Sequence, residues 1–247
     1  MSQKVKQAAD IITQASHVIA FTGAGISVES GIPPFRGEGG LWNKYDPQIL
    51  DLDYYTKHPE IIVQIEKMFH EVIYRSKPNA AHYALAELEK MGLLKAIITQ
   101  NIDNLHFDAG NKNVIEFHGN TRNYVCMSCS TVYKRSEIEI TPKGAFCPKC
   151  GGLLKPDFVF FGEAIPSDAY MKSIEHASKA DVVLVIGTTG LIQPASIIPH
   201  LAKDHGATII EVNVEPTVYT NEITDIFLQG KATEVMTELL NEIKNKS

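Results

Sequence analysis

His17-Val18-Ile19-Ala20-Phe21-Thr22-Gly23-Ala24-Gly25-Ile26-Ser27 reads as an apolar strand that runs straight into a glycine turn. A strand without polar alternation belongs inside a parallel sheet covered on both faces. Working outward, Val5, Ala8, Ala9, Ile12 and Ala15 recur at helical spacing before it. After it, a helix carries Ala81, Ala84, Leu85, Leu88 and Met91 on one face, stops near Gly92, and leads to a strand over 94–99. Further strands are expected at 113–117, 157–161, 181–187 and 207–213, with helices at about 167–179 and 193–205 between the last of them. Ala232, Val235, Met236, Leu239, Leu240 and Ile243 make a closing helix. Strands alternating with helices in this order predict a doubly wound, Rossmann-like α/β domain built on a parallel sheet.

Two stretches break the alternation. Residues 37–80 open with Gly37-Glu38-Gly39-Gly40 and continue into a polar region and a helix, and read as a helical insertion over one end of the sheet. Residues 121–156 hold all four cysteines among turn formers and short β segments. The expected division is therefore 1–36, 81–120 and 157–247 for the nucleotide-binding body, 37–80 for the insertion, and 121–156 for a small module. Charge separates them too. Arg122, Lys134, Arg135, Lys143, Lys149 and Lys155 against Glu137 and Glu139 give the module +4, leaving −10 of the chain's net −6 on the remainder. With 247 residues, 44% hydrophobic and 21% charged, the chain suits one sizeable core plus a small accessory unit, and not disorder or a collagen-like repeat. The acidic total favours neither sequence-specific nucleic acid nor a membrane surface as partner. Met1 to Gln7 has no secretory apolar region, and no apolar run approaches the ~18 residues of a membrane span, so a cytoplasmic protein is expected.

Cys126-x-x-Cys129 and Cys147-x-x-Cys150 are two knuckles 17 residues apart, the ribbon spacing that lets four thiolates surround one zinc. Pro148 and Gly151-Gly152 supply the tight turn of the second knuckle. Four protein ligands leave no open position, so the zinc is expected to be structural. Zinc and thiolates together add −2, which trims the module to about +2 and weakens any nucleic-acid reading. The competing account is four unconnected thiols or a redox pair.

The turn Gly23-Ala24-Gly25-Ile26-Ser27 has room for a phosphate to approach backbone N–H groups, but a full dinucleotide fingerprint would place a third glycine where Val28 stands. It would also place an acidic residue after a second strand, and no strand precedes Asp46, Asp51 or Asp53. Nucleotide binding and a plain strand-to-helix turn both fit the local motif, and a hydride-transferring dehydrogenase fits poorly. Ser30 to Gly37 then sets Pro33 and Pro34 beside Phe35, a ring to cover a flat ligand, and Arg36, a clamp for phosphate or ribose. Two more polar clusters directly follow strands: Gln100-Asn101-Ile102-Asp103-Asn104-Leu105-His106, and Glu116-Phe117-His118-Gly119-Asn120. Strand C-termini of open α/β sheets are where ligands bind, which makes His118 a candidate base against the plainer reading of a structural histidine.

Taken in order, these residues resemble the sirtuin family of NAD-dependent protein lysine deacylases over essentially the whole chain. The resemblance rests on Gly23 to Ser27, Gly31-Ile32-Pro33 with Phe35-Arg36, Thr99 to Asp103, His118-Gly119, the four cysteines, Phe161-Gly162-Glu163, Gly187-Thr188-Thr189 and Asn213-Val214-Glu215. It implies NAD as co-substrate, with pyrophosphate near Ala24 and Gly25, adenosine near Thr188, Thr189, Asn213, Val214 and Glu215, Lys231 and Ala232 at the far adenine side, and Gly23, Val28, Gln100 and Gly187 also among the cofactor-binding residues. Nicotinamide would lie near Phe35, Ile102 and Asp103, with Asn101 beside the ribose and Arg36 holding the loop and phosphates.

By the same resemblance, the acyl-lysine oxygen attacks the ribose as nicotinamide leaves, and His118 acts as base on a ribose hydroxyl while Asn101 orients ribose and water. The products implied are free lysine, nicotinamide and O-acyl-ADP-ribose. An acylated-lysine peptide would add as a strand between Val159, Phe160, Phe161, Gly162 and Glu163 on one side and Leu191, Ile192 and Gln193 on the other. Pro34 stands where many members carry Asp, and Thr189-Gly190 where Ser-Leu is common. Members preferring succinyl groups carry Tyr and Arg three apart before the Lys-Pro-Asn turn. Counting back from Lys77-Pro78-Asn79, the matching residues are Glu66 and Phe69, so acetyl or longer neutral acyl groups are expected. Tyr74 and Arg75 are adjacent and cannot share a helix face. Mono-ADP-ribosyl transfer from the same site and a non-catalytic NAD sensor are the alternatives.

Overall fold

The structure, a computed structural model, describes residues 2–35 and 39–246, so the expected clamp Arg36 lies outside the described residues. Six parallel strands form the main sheet: β1 (Val18–Thr22), β2 (Leu94–Thr99), β3 (Val114–Glu116), β9 (Val182–Ile186), β10 (Thr208–Asn213) and β11 (Ile226–Gln229), in the order β11-β10-β9-β1-β2-β3. A second sheet, β5-β4-β8, joins β4 (Gly119–Cys126), β5 (Val132–Lys134) and β8 (Leu154–Phe158), and β6 (Ile140–Thr141) pairs with β7 (Gly144–Ala145).

Alternate residues of the main sheet feed two cores. Val18, Ala20, Ile97, Leu184 and Val212 face α1 (Ser2–Gln14), α4 (Ala80–Lys90) and α9 (Ala232–Lys244). Ile19, Phe21, Ile98, Val183 and Ile209 face α6 (Ser167–Lys179) and α7 (Ile197–Asp204). Helices thus cover both faces, as a doubly wound sheet requires. The short helices α5 (Leu105–Asp108) and α8 (Val218–Glu222) close loops at the sheet edge.

The insertion forms 3₁₀ turns with α2 (Leu52–Lys57) and α3 (Ile62–Val72). It does not stand alone: Tyr55, Ile62, Ile65 and Phe69 share one buried cluster with Tyr124, Cys126, Cys147, Leu154 and Phe158 of the cysteine-bearing stretch. The two interruptions read separately in the sequence therefore pack as one body beside the main sheet.

Three expectations need correction. The strand placed at 157–161 is β8, three residues earlier, and it pairs antiparallel with β4 in the small sheet. The apolar run Phe158-Val159-Phe160-Phe161 suits a core strand, but the ladder runs over Leu154–Phe158. Pro156 is tolerated because β8 is an edge strand. The strand β11 was not foreseen, since four residues carry too little periodicity. The helix expected from 193 starts at Ile197, because Leu191 to Ser196 are spent on turns closed by Ser196 N–H to Ile192 O (2.9 Å) and Ile197 N–H to Pro194 O (3.1 Å).

Candidate functional site

Register brings the predicted clusters to one edge. Thr22 lies opposite Thr99 and Ile186, Thr99 opposite Glu116, and Val212 opposite Ile186. The loops starting at Gly23, Gln100, Phe117, Gly187 and Asn213 consequently leave the sheet together at its C-terminal end, where open α/β sheets bind ligands.

The glycines of the first turn serve a purpose other than open space for an anion. A Cβ at Gly23 would stand 2.7 Å from the Thr188 Cβ, and one at Gly25 would stand 2.6 Å from the Gly187 Cα. Gly23 N–H donates to Ile186 O (3.0 Å) and Gly25 N–H to Gly187 O (2.8 Å), so both amides are consumed inside the protein. The glycines let two strand-end loops touch backbone to backbone. The chain then forms a 3₁₀ helix over Ala24–Ser30, closed by Gly31 at φ 87°. Val28, on this helix, is exposed and lines no part of the cleft described below.

Side chains fasten the remaining loops. Asn101 Nδ2 donates to Gly23 O (3.1 Å) and Ser27 Oγ (3.3 Å), and Ser27 Oγ donates to Asp103 Oδ2 (2.6 Å). Asp103 Oδ1 accepts from Leu105 N–H (3.0 Å). Burial raises the Asp103 pKa, opposed by these two bonds to the charged form. Gln100 Nε2 donates to Thr188 Oγ1 (3.0 Å), and Asn213 Nδ2 to Thr188 O (3.1 Å). Thr188 is thereby a buried meeting point of three strand ends. Thr189, Val214, Glu215 and Lys231 are exposed around it, and Ala232 is buried as the first residue of α9. Gly190 departs from the family pattern for a visible reason: its φ is 77°, and an added Cβ would meet the Tyr219 ring at 3.0 Å.

His118 follows β3, with Phe117 N–H held by Thr99 O (2.9 Å). Gly119 has φ 73° and passes so close to β8 that a Cβ would stand 2.8 Å from the Phe158 Cα. Val159 N–H donates to His118 O (2.9 Å), tying the histidine backbone to the strand crossing behind it. The ring Nδ1 lies 3.1 Å from Gln100 O. A carbonyl only accepts, so Nδ1 carries the proton and Nε2 holds the free lone pair. Burial lowers the His118 pKa, with the Gln100 bond opposing it, so the ring is neutral near pH 7.

Between this edge and the helical insertion lies an open cleft. Ala24, Phe35, Asn101, Ile102 and Asp103, all singled out in the sequence, line one side, while Leu41, Met68, Phe69, Val72 and Ile73 line the other. Phe35, Trp42 and Phe161 form a row of rings, with centroids 5.2 and 6.1 Å apart. The expectation for Glu66 does not hold. It is buried outside the cleft lining, where Arg135 Nε donates to Oε2 (2.8 Å) and the Tyr124 and Tyr74 hydroxyls donate to Oε1. Its charge is spent on the cysteine-bearing body, and Phe69 alone of the pair faces the cleft.

Of the expected peptide-binding residues, Phe161, Gly162, Leu191, Ile192 and Gln193 are exposed, Phe160 is buried, and Val159 and Glu163 lie between. Phe161 N–H donates to Leu50 O (2.8 Å) and Phe161 O accepts from Leu52 N–H (3.1 Å), so the insertion supports this segment from behind. Ser27, Phe69's neighbours on α3 and the Thr188 junction carry more of the site than the sequence suggested, since their partners lie far away in the chain.

The four cysteine sulfurs lie within 4.8 Å of one another. Cys126 and Cys150 Sγ are 3.5 Å apart, and Cys129 and Cys147 Sγ 3.8 Å. A tetrahedron with Zn–S of about 2.3 Å has edges of about 3.8 Å, so the cluster has the dimensions for one structural zinc. The two knuckles fold alike: Ser130 N–H bonds Cys126 O (2.9 Å) and Gly151 N–H bonds Cys147 O (2.8 Å), with Ser130 and Gly151 in the left-handed region. Removing any need for a redox pair, each Cys-x-x-Cys places its sulfurs toward the other knuckle.

Fold and site together define a Rossmann-like sheet whose edge histidine, His118, leads into a strand, β4, that ends at the four-cysteine cluster. Known proteins share this design. A family model described as the Sir2 family matches residues 23–194. The NAD-dependent protein deacylase of Pyrococcus furiosus is 48% identical over 243 residues, covering 96% of this chain and 97% of that protein. A mutant Sir2 homologue in complex with ADP ribose superposes with a TM-score of 0.92 at 41% identity, covering 97% and 96% of the two chains. A Sir2 structure with a p53 peptide and NAD+ gives 0.87 at 34% identity, covering 98% and 99%. The chain belongs to the Sir2 family. Among the described residues, no helix is long and apolar enough to cross a membrane.

Proposed function

We propose that this protein is an NAD-dependent protein lysine deacylase that removes acetyl or other neutral acyl groups from lysine side chains, yielding nicotinamide and O-acyl-ADP-ribose. The observation that carries it is the neutral His118 ring, with Nδ1 engaged by Gln100 O and Nε2 free, at the sheet edge of a chain 48% identical to a named deacylase. Bound NAD supplies a glycosidic bond to a good leaving group, nicotinamide, and a ribose that receives the acyl group.

The chain's own residues do the rest. His118 Nε2 takes a proton from a ribose hydroxyl, and its depressed pKa keeps it in the base form. Asn101, fixed through Gly23 O and Ser27, orients the ribose side of the cleft. Asp103, held by Ser27 and Leu105, presents an accepting edge beside Ile102 and Phe35 to an amide ring. Thr188, Thr189, Asn213, Val214, Glu215, Lys231 and Ala232 receive the adenosine half. An acyl-lysine peptide lies along 159–163 and 191–193, held mainly by its backbone. The apolar wall of Met68, Phe69, Val72 and Ile73 favours a neutral acyl group over a succinyl carboxylate, which would be desolvated there without a partner. Residues 37–80 and 121–156 serve as cofactor-side insertion and zinc module of the 1–36, 81–120 and 157–247 body. Reduced thiols for zinc suit a cytoplasmic setting.

Incubation with labelled NAD and acetyl, succinyl and long-chain acyl peptides tests the reading through nicotinamide release and product identity. Acetyl or long-chain turnover with O-acyl-ADP-ribose is expected. Label transferred to protein without that product would instead establish mono-ADP-ribosyl transfer, and turnover of succinyl peptides alone would overturn the assignment of the apolar wall.

A further inference from the structure

Lys155 is a buried lysine that neither the cleft nor the zinc cluster employs. It lies in β8, with its side chain 7% exposed, and its ammonium makes two hydrogen bonds and one ion pair. Nζ donates to Phe158 O (2.8 Å) and Pro156 O (3.2 Å), and it pairs with Glu163 Oε2 at 3.0 Å. It also stands 5.1 Å from the centroid of the Phe160 ring. A buried ammonium so fully enclosed carries a desolvation cost, which makes its retention informative.

What it holds is the turn after β8. Glu163 Oε2 also accepts from Phe160 N–H (3.0 Å), and Glu163 N–H donates to Phe160 O (3.0 Å). Gly162, at φ 85°, lets the chain reverse between them. One carboxylate therefore closes the 160–163 turn and receives the lysine, while Val159 N–H just before it holds His118 O. Phe160 stacks on Phe158 (4.5 Å, 8°), and Phe158 meets Phe69 of the cleft wall edge-on at 5.7 Å. Lys155 thus anchors one bank of the peptide groove to the strand that backs the base.

We propose that Lys155, acting through Glu163, is a positioning residue for the acylated peptide: it sets the backbone of 159–163 in the shape against which the peptide pairs. This rests on the deacylase reading above. The side-chain bonds of the pair go to Pro156, Phe158 and Phe160 and to each other, so its loss is selective for peptide.

The test compares the unaltered protein with K155M, E163Q and the double variant, measuring steady-state kinetics for NAD and an acetyl-lysine peptide, peptide affinity by fluorescence anisotropy, and zinc content. K155M and E163Q should each raise the peptide KM and dissociation constant about tenfold, with the NAD KM within twofold and one zinc per chain. The double variant should match the singles, because both remove one interaction. Unchanged peptide affinity in both single variants overturns the proposal. So does parallel loss of peptide and NAD binding, which would mark a merely structural role, and so does an additive double variant. If the unaltered protein turns over no acylated peptide, the deacylase reading fails; anisotropy on the same samples still shows whether Lys155 governs peptide binding.

Discussion

Acid should weaken this protein through a histidine outside the proposed chemistry. His82 sits at the third position of α4, fully buried, with Nδ1 accepting from Asn79 N–H (3.3 Å) and Nε2 without a partner among the described residues. Its ring centroid is 5.0 Å from that of His106, equally enclosed. Burial pushes the His82 pKa from 6.5 down to about 4. The folded value lies below the unfolded one, so the unfolded chain takes up the proton first as pH falls. Stability is lost from about pH 6.5 downward and levels off below about pH 4. The loss from this one ring is about 2 kcal/mol between pH 7 and 5, and about 3 kcal/mol by pH 4. His106 is pushed the same way by burial and by His82, and adds to it. The assay is urea unfolding at pH 7, 6 and 5 for the parent and H82Q. Glutamine at this position keeps an acceptor for the Asn79 N–H and removes the titration. The parent should lose about 2 kcal/mol more than H82Q between pH 7 and 5. Parallel losses for the two proteins would show that His82 does not carry the acid sensitivity, since carboxylate protonation is common to both.

Replacing His118 with Ala should lower kcat/KM by about 10²–10⁴ with NAD affinity largely kept, and the parent's acid limb should fall below pH 6.5, because burial depresses this pKa; a limb at or above 6.5 in kcat/KM would contradict the neutral-base assignment. Cys126→Ser should reduce bound zinc from one per chain toward none by metal analysis and lower the unfolding midpoint, since metal binding is folding energy in such ribbons. Gly25→Ala should cost about 1–3 kcal/mol in denaturant unfolding, because its Cβ meets the Gly187 backbone at 2.6 Å and neither loop has a flexible side chain to yield; full stability would show the two loops are free to part.

Much of the design was legible because it rests on local pattern. The strand into Gly23, the two cysteine knuckles and the polar runs after β2 and β3 are each written in consecutive residues, and all of them meet at one edge or one cluster. What escaped reading depends on distance along the chain. Ser27 finds Asp103 76 residues away, and Glu66 finds Arg135 69 residues away, so neither partner leaves a mark in its own neighbourhood. Glu66 shows the hazard directly: counting positions put its carboxylate in the acyl cleft, whereas tertiary contacts with Arg135 and Tyr124 hold it outside the lining. The bounds of β8 depend likewise on a distant partner, since its pairing with β4 decides where the ladder starts and stops.

The strand order also bears on how the molecule is made. β1 is made well before β9, yet it takes an interior position between β2 and β9, and β9 begins only at Val182. Until then one side of Val18 to Thr22 is an unpaired apolar edge, and Gly23 and Gly25 have no Gly187 to close on. Unfinished edges of this kind invite association with other nascent chains. The cofactor edge is therefore complete only once β9 has docked beside β1.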